Sequence, residues 1–209
     1  MIRAASISKS IFAFFITAST LLAMPHFAHC EVSVGASAPD FTAKDSSGKD
    51  VSLSAFKGKI VVLEWFNPNC PFVKKFYKNG NMQKFQESLA GKGVVWLTVN
   101  SSASGRSGHL SPEEAQETRK ELGMKSTAFI LDEDGKVGKA FGARTTPHMY
   151  IVSADGKIAY AGAIDSEAST SADDIAGATN YVLAATEELL AGKPVAVAST
   201  EPYGCSVKY

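Results

Sequence analysis

The chain predicts an α/β fold in which a mixed sheet is flanked by helices and preceded by an N-terminal strand pair. Three observations carry this. Two nearly continuous apolar runs, IVVLEWF (60–66) and GVVWLTVN (93–100), have the character of central strands covered on both faces. Each is followed by a segment with helical signals, the arrangement that connects parallel neighbours. Further on, TTPHMYIVSADGKIAYAGAI (145–164) reads as two extended runs about an Asp-Gly turn, the mark of an antiparallel hairpin.

The elements follow in order. APDFTAKDSSGKDVSLSAF (38–56) supplies two short extended segments around Asp45-Ser46-Ser47-Gly48. After the strand at 60–66, Pro71 opens a helical pattern carried by Phe72, Phe76 and Tyr77. Asn79-Gly80-Asn81 interrupts that pattern before Met82, Phe85 and Leu89 resume it, which predicts a broken or kinked helix. SPEEAQETRKEL (111–122) has a capping serine, proline at the first helical position and early glutamates. STAFILD (126–132) is a further strand, followed by a short segment, GKVGKAFGA. A long amphipathic stretch, about 173–191, precedes the tail GKPVAVASTEPYGCSVKY.

The first thirty residues have the grammar of an export leader. Arg3 and Lys9 give a positive start, residues 11–24 are apolar, and Ala28-His29-Cys30 places small residues at a cleavage site. The apolar run is shorter than the roughly 20 residues a membrane span needs, so no stable membrane insertion is expected. His29 argues against Cys30 as a lipid-attachment site. The expected plan is a leader at 1–30, one domain at 31–191 and a tail at 192–209, in a periplasmic or secreted protein. Lys plus Arg and Asp plus Glu each total 21. That balance argues against a nucleic-acid partner or a charged membrane surface.

Two cysteines lie beyond the leader, Cys70 and Cys205, and a pair in an exported protein is either a staple or a redox couple. Cys70 follows a central strand and precedes Pro71. This puts it at a helix N-cap, where unpaired amides and the positive end of the dipole favour a thiolate. Lys74 and Lys75 add to this if their side chains fold back. The bland alternative is an inert or permanently bridged thiol. Glu64, in an apolar strand, is either a buried acid beneath the cysteine or an edge residue facing water. His148 faces either the cysteine or the core. No CxxC or HxxxH spacing is present, so neither a metal nor a cofactor is expected.

Four pieces together resemble the thioredoxin fold and, within it, the redoxins related to alkyl hydroperoxide reductase and thiol-specific antioxidant proteins. They are APDF (38–41), LSAFKGKIVVLEWF (53–66), NPNCPF (67–72) and TTPHMYIVSADGKIAYAGAI (145–164). The resemblance implies that Cys70 stands at the first cysteine of a CxxC motif, with Val73 replacing the second. Against the peroxiredoxin pattern PxxxTxxC, Asn67 stands at the threonine and Leu63 at the proline. The chain thus looks like a peroxiredoxin-like subgroup with a single cysteine at the thioredoxin-type position. The resemblance also implies a cis peptide before Pro147, leaving the backbone of Thr146 to pair with an extended substrate.

These readings lead to an exported thiol-dependent redox protein, a thiol-disulfide oxidoreductase or a peroxiredoxin-like antioxidant. Cys70 is the expected nucleophile, Cys205 its resolving partner, and Thr146 and Pro147 the expected substrate-binding residues. The expected partners are a protein or small-molecule disulfide or peroxide and an external thiol reductant. The rival is a non-enzymatic module that holds an extended peptide, or a periplasmic partner, in the groove of Cys70, Thr146 and Pro147.

Overall fold

A computed structural model describes Met1 and residues 32–209; the rest of the expected leader, with Cys30, lies outside the described residues. The strand pair is present as β1 (Thr42–Lys44) and β2 (Asp50–Ser52), antiparallel about the Asp45–Gly48 turn. A single 3-10 turn, Leu53–Phe56, leads to the central strand β3 (Val61–Trp65), all five residues of which are buried. The broken helix follows as α1 (Pro71–Tyr77) and α2 (Asn81–Ala90), separated at Gly80, which adopts φ +73°.

Next come β4 (Val95–Asn100), α3 (Pro112–Glu121) and β5 (Ala128–Leu131). Helix α3 begins with the anticipated serine, and it does so as a full capping box: Ser111 accepts from the Glu114 amide while Glu114 accepts from that of Ser111. The short segment GKVGKAFGA forms helix α4 (Lys136–Phe141), bounded on both sides by left-handed glycines, Gly135 and Gly142. Strands β6 (Thr145–Thr146), β7 (His148–Val152) and β8 (Ile158–Gly162) follow, the last two forming the hairpin.

The amphipathic stretch at 173–191 is two pieces rather than one. A 3-10 turn spans Ala172–Ala176 and helix α5 spans Tyr181–Leu190. Gly177 ends the first, and Asn180 caps the second by accepting from the Leu183 amide. The tail ends in a two-residue strand, β9 (Cys205–Ser206).

The main sheet has the order β5-β4-β3-β7-β8; β3, β4 and β5 are mutually parallel, β7 runs antiparallel to β3, and β8 runs antiparallel to β7 and so in the direction of β3. This is the mixed sheet flanked by helices that the sequence predicts. Two apolar layers cover its faces. One gathers Val62, Phe66, Phe76, Trp96, Met149 and Ile151; the other Val61, Leu63, Trp65, Leu97, Tyr150 and Phe141. The alternation of Met149 and Ile151 with Tyr150 along β7 is the two-residue period of a strand. Among the described residues, no helix is long and apolar enough to cross a membrane.

Candidate active site

Cys70 occupies the N-cap of α1, with an extended backbone and Pro71 at the first helical position. The end of β3, the loop 67–69 and the start of α1 therefore fix its sulfur at the carboxyl edge of the central strand. Across from it stands the cis peptide Thr146–Pro147. As a thiol, Cys70 donates to the Thr146 carbonyl at 2.9 Å. Thr146, Pro147 and Cys70 are thus brought together.

Cys205 is brought there too. In the β6–β9 pairing Thr146 stands opposite Cys205, and both the thiol and the amide of Cys205 hydrogen-bond to the Cys70 sulfur. Both residues are free thiols. Burial opposes ionisation of Cys70. The Cys205 thiol, the Thr146 hydroxyl, and the Cys205 and Val73 amides more than offset it, so the Cys70 pKa is lowered from 9.0. The Val73 amide is the helix N-terminus acting as anticipated. Cys205 moves the opposite way, up to about 11, through burial and then its contact with Cys70. One proton is held by Cys205 in front of a sulfur that ionises first.

The lysines do not contribute as the sequence allowed. Lys75 is buried and turns to Asp165 at 3.4 Å and to the Glu167 carbonyl at 2.7 Å, while Lys74 is exposed. Neither is among the main groups acting on Cys70.

His148 faces away from Cys70. It shares a face of β7 with Tyr150, its ring centroid 4.6 Å from that of Tyr150, and its Nδ1 accepts from the Arg144 amide at 3.2 Å. Burial, then the Arg144 charge, pushes its pKa down to about 3, so it is a neutral core histidine.

Glu64 is fully buried at the middle of β3, on the same layer as α1. Its carboxylate accepts from the Tyr77 hydroxyl at 3.0 Å, Trp96 Nε1 at 2.9 Å, the Thr98 hydroxyl at 3.2 Å and Gln86 Nε2 at 3.4 Å. Burial outweighs these donors and lifts its pKa to about 7. The edge reading is thereby excluded.

The positions that depart from the peroxiredoxin pattern have other uses here. Asn67 is buried; its amide donates to the Ser107 carbonyl at 2.8 Å and its oxygen accepts from the Asn69 amide at 2.8 Å, bracing the 100–108 loop. Leu63 is a core residue of the opposite face. Sequence reasoning missed the anchoring roles of Tyr203 and Tyr209, which hold the tail in place. The aromatic residues flanking Gly204-Cys205 were the signal that could have found them.

The AhpC/TSA family model matches residues 34–161. Among curated proteins, the chain is 30% identical over 142 residues to chloroplastic peroxiredoxin Q of Sedum lineare, covering 58% of this chain and 75% of that protein. It is 30% identical over 128 residues to the thiol-disulfide oxidoreductase ResA of Bacillus subtilis, covering 61% and 65%. A crystal structure of an uncharacterized conserved protein of Geobacillus kaustophilus is 28% identical, with a TM-score of 0.73 over 85% of this chain and 92% of that one. A match over more than half of the chain, on the thioredoxin-like sheet described above, makes this protein a member of the AhpC/TSA family.

Proposed function

We propose that the protein is an exported thiol redox protein in which Cys70 is the nucleophile and Cys205 its resolving partner. The observation that carries this is the pairing of Cys205 opposite Thr146, the residue whose carbonyl accepts from the Cys70 thiol at 2.9 Å, with the Cys70 pKa lowered and the Cys205 pKa raised. Similarity to both a peroxiredoxin and a thiol-disulfide oxidoreductase supports a redox role of either kind.

With a hydroperoxide, the Cys70 thiolate attacks the peroxide bond, leaving Cys70 as sulfenic acid and releasing an alcohol or water once the leaving oxygen takes a proton. Cys205 then attacks the sulfenic sulfur, water departs, and a Cys70–Cys205 disulfide remains. With a disulfide, Cys70 displaces one thiolate to form a mixed disulfide, and Cys205 displaces the other. In both cases an external dithiol returns the pair to thiols and is itself oxidised. The domain plan belongs to the same proposal: a leader at 1–30, the redoxin domain at 31–191, and a tail at 192–209 that supplies Cys205. Its compartment is periplasmic or extracellular.

The rival binding module loses support because β9 already lies along the β6 edge. Stopped-flow mixing of the reduced protein with hydrogen peroxide and with a model disulfide tests the proposal. Reaction faster than a free thiol, abolished in Cys70→Ser, is the expected result. Reaction of wild-type Cys70 no faster than a free thiol overturns it.

A further inference from the structure

Strand β6 lies outside the five-stranded sheet, and β9 is its partner. A strand edge is a template for an extended peptide, because its main-chain groups bind any sequence. Since the Cys70 sulfur contacts the Thr146 carbonyl, whatever residue pairs with Thr146 lies against that sulfur. In this chain that residue is its own Cys205.

The tail is anchored on both sides of Cys205. Upstream, the Tyr203 ring meets Phe72 edge-on at 5.8 Å, and its hydroxyl donates to Asp165, the buried partner of Lys75. Downstream, the Val207 amide donates to the Arg144 carbonyl at 3.0 Å and the Lys208 carbonyl accepts from the Ala103 amide at 2.8 Å. Tyr209 donates to the Ala143 carbonyl at 2.8 Å. Its ring packs so closely on α4 that a Cβ at Gly138 would come within 2.7 Å of Cε1. Gly204, at φ +132°, passes Thr146 where a Cβ would lie 2.1 Å from its carbonyl oxygen. With the tail in place Cys70 is 2% exposed.

We propose that the docked tail, residues 203–209, sets the substrate class of the site: it excludes extended polypeptide disulfides and reserves Cys70 for low-molecular-weight oxidants. The inference rests on Cys70 being the reactive thiol, as proposed above. An extended peptide needs the strand edge that β9 fills; a molecule of a few atoms needs a path to one sulfur. The tail is also a tethered competitor, with an advantage on the order of 10²–10⁴ over a free peptide making the same contacts.

The test uses two probes with one leaving group: 5,5′-dithiobis(2-nitrobenzoate), and a ten-residue extended peptide whose cysteine carries the same thionitrobenzoate. Attack by the Cys70 thiolate forms a new disulfide to the probe and releases one thionitrobenzoate from either. A Cys205→Ser background keeps the adduct on Cys70, where mass spectrometry locates it. Relative to glutathione, the protein is expected to prefer the small probe by about 100-fold. That preference is expected to fall about tenfold or more in Gly204→Ala and Tyr209→Ala, whose release of the tail is scored by hydrogen exchange at the Ala103 and Val207 amides.

A preference matching that of glutathione overturns the proposal, whether or not the variants fold. So does a preference that survives when those amides exchange freely. Failure of the proposed function reads differently: the small probe itself then reacts no faster with Cys70 than with glutathione.

Discussion

Thr146 and Cys205 stand directly opposite one another in a two-residue antiparallel pairing, and this alone places the second thiol of the tail against Cys70. The Cys70 sulfur thus has a donor from each side, the Val73 amide of its own helix and the thiol and amide of the tail. Electrostatics at the sulfur depend on a segment 135 residues away in sequence.

Cys205→Ala removes the thiol donor and leaves the amide. The Cys70 titration midpoint is expected to rise, followed by the ultraviolet absorbance of the thiolate. Cys205→Ser, which keeps an O–H donor, is expected to raise it less. A midpoint unchanged in Cys205→Ala contradicts a role for the tail in tuning the sulfur.

Two buried groups give stability opposite dependences on pH. Glu64 holds its proton to about pH 7 in the fold against an ordinary value of 4.5, so its contribution is full below about 4.5 and falls by about 3 kcal/mol as pH rises to 7. His148 titrates at about 3 in the fold against 6.5 ordinarily, so its contribution is lost on acidification and regained as pH rises to 6.5. Between about pH 4.5 and 6.5 the two slopes oppose each other. Glu64→Gln leaves the His148 slope alone, and urea melts across this window are expected to show stability rising with pH. A profile parallel to the wild type contradicts the protonated Glu64.

Lys75 and Asp165 form a buried ion pair that also holds Tyr203. Lys75→Met leaves Asp165 buried without its cation, and a loss of about 3 kcal/mol in denaturant unfolding is expected. The double variant with Asp165→Leu is expected to recover most of that loss. No recovery would mean that the cost comes from packing around Lys75 rather than from the stranded charge.

Much of the fold was legible because its signals are local. Ser111-Pro112 with Glu114 caps a helix, Gly80 breaks one, and the Asp155-Gly156 turn closes a hairpin. The division of 173–191 was carried by Gly177 and Asn180, whose capping chemistry a purely amphipathic reading passes over. The short helix α4 contains only six residues, too few for a period to show. At the site, the position of Cys70 at a helix N-cap followed from Pro71, and the cis peptide at Pro147 followed from the resemblance. Strands β6 and β9 have two residues each, below any detectable alternation, so their pairing and the register that sets Cys205 opposite Thr146 could only come from three dimensions. The same holds for Glu64, whose burial depends on Tyr77, Gln86 and Trp96 converging from three elements.

The proposed redox cycle turns on a reversible Cys70–Cys205 couple, and the reduction potential of that pair tests it most directly. Equilibration against defined dithiol buffers, with alkylation of the remaining thiols and mass spectrometry of the Cys70–Cys205 linkage, gives the value. A potential less negative than about −300 mV is predicted, within reach of physiological dithiols. A more negative potential would mark a structural disulfide and contradict the redox cycle.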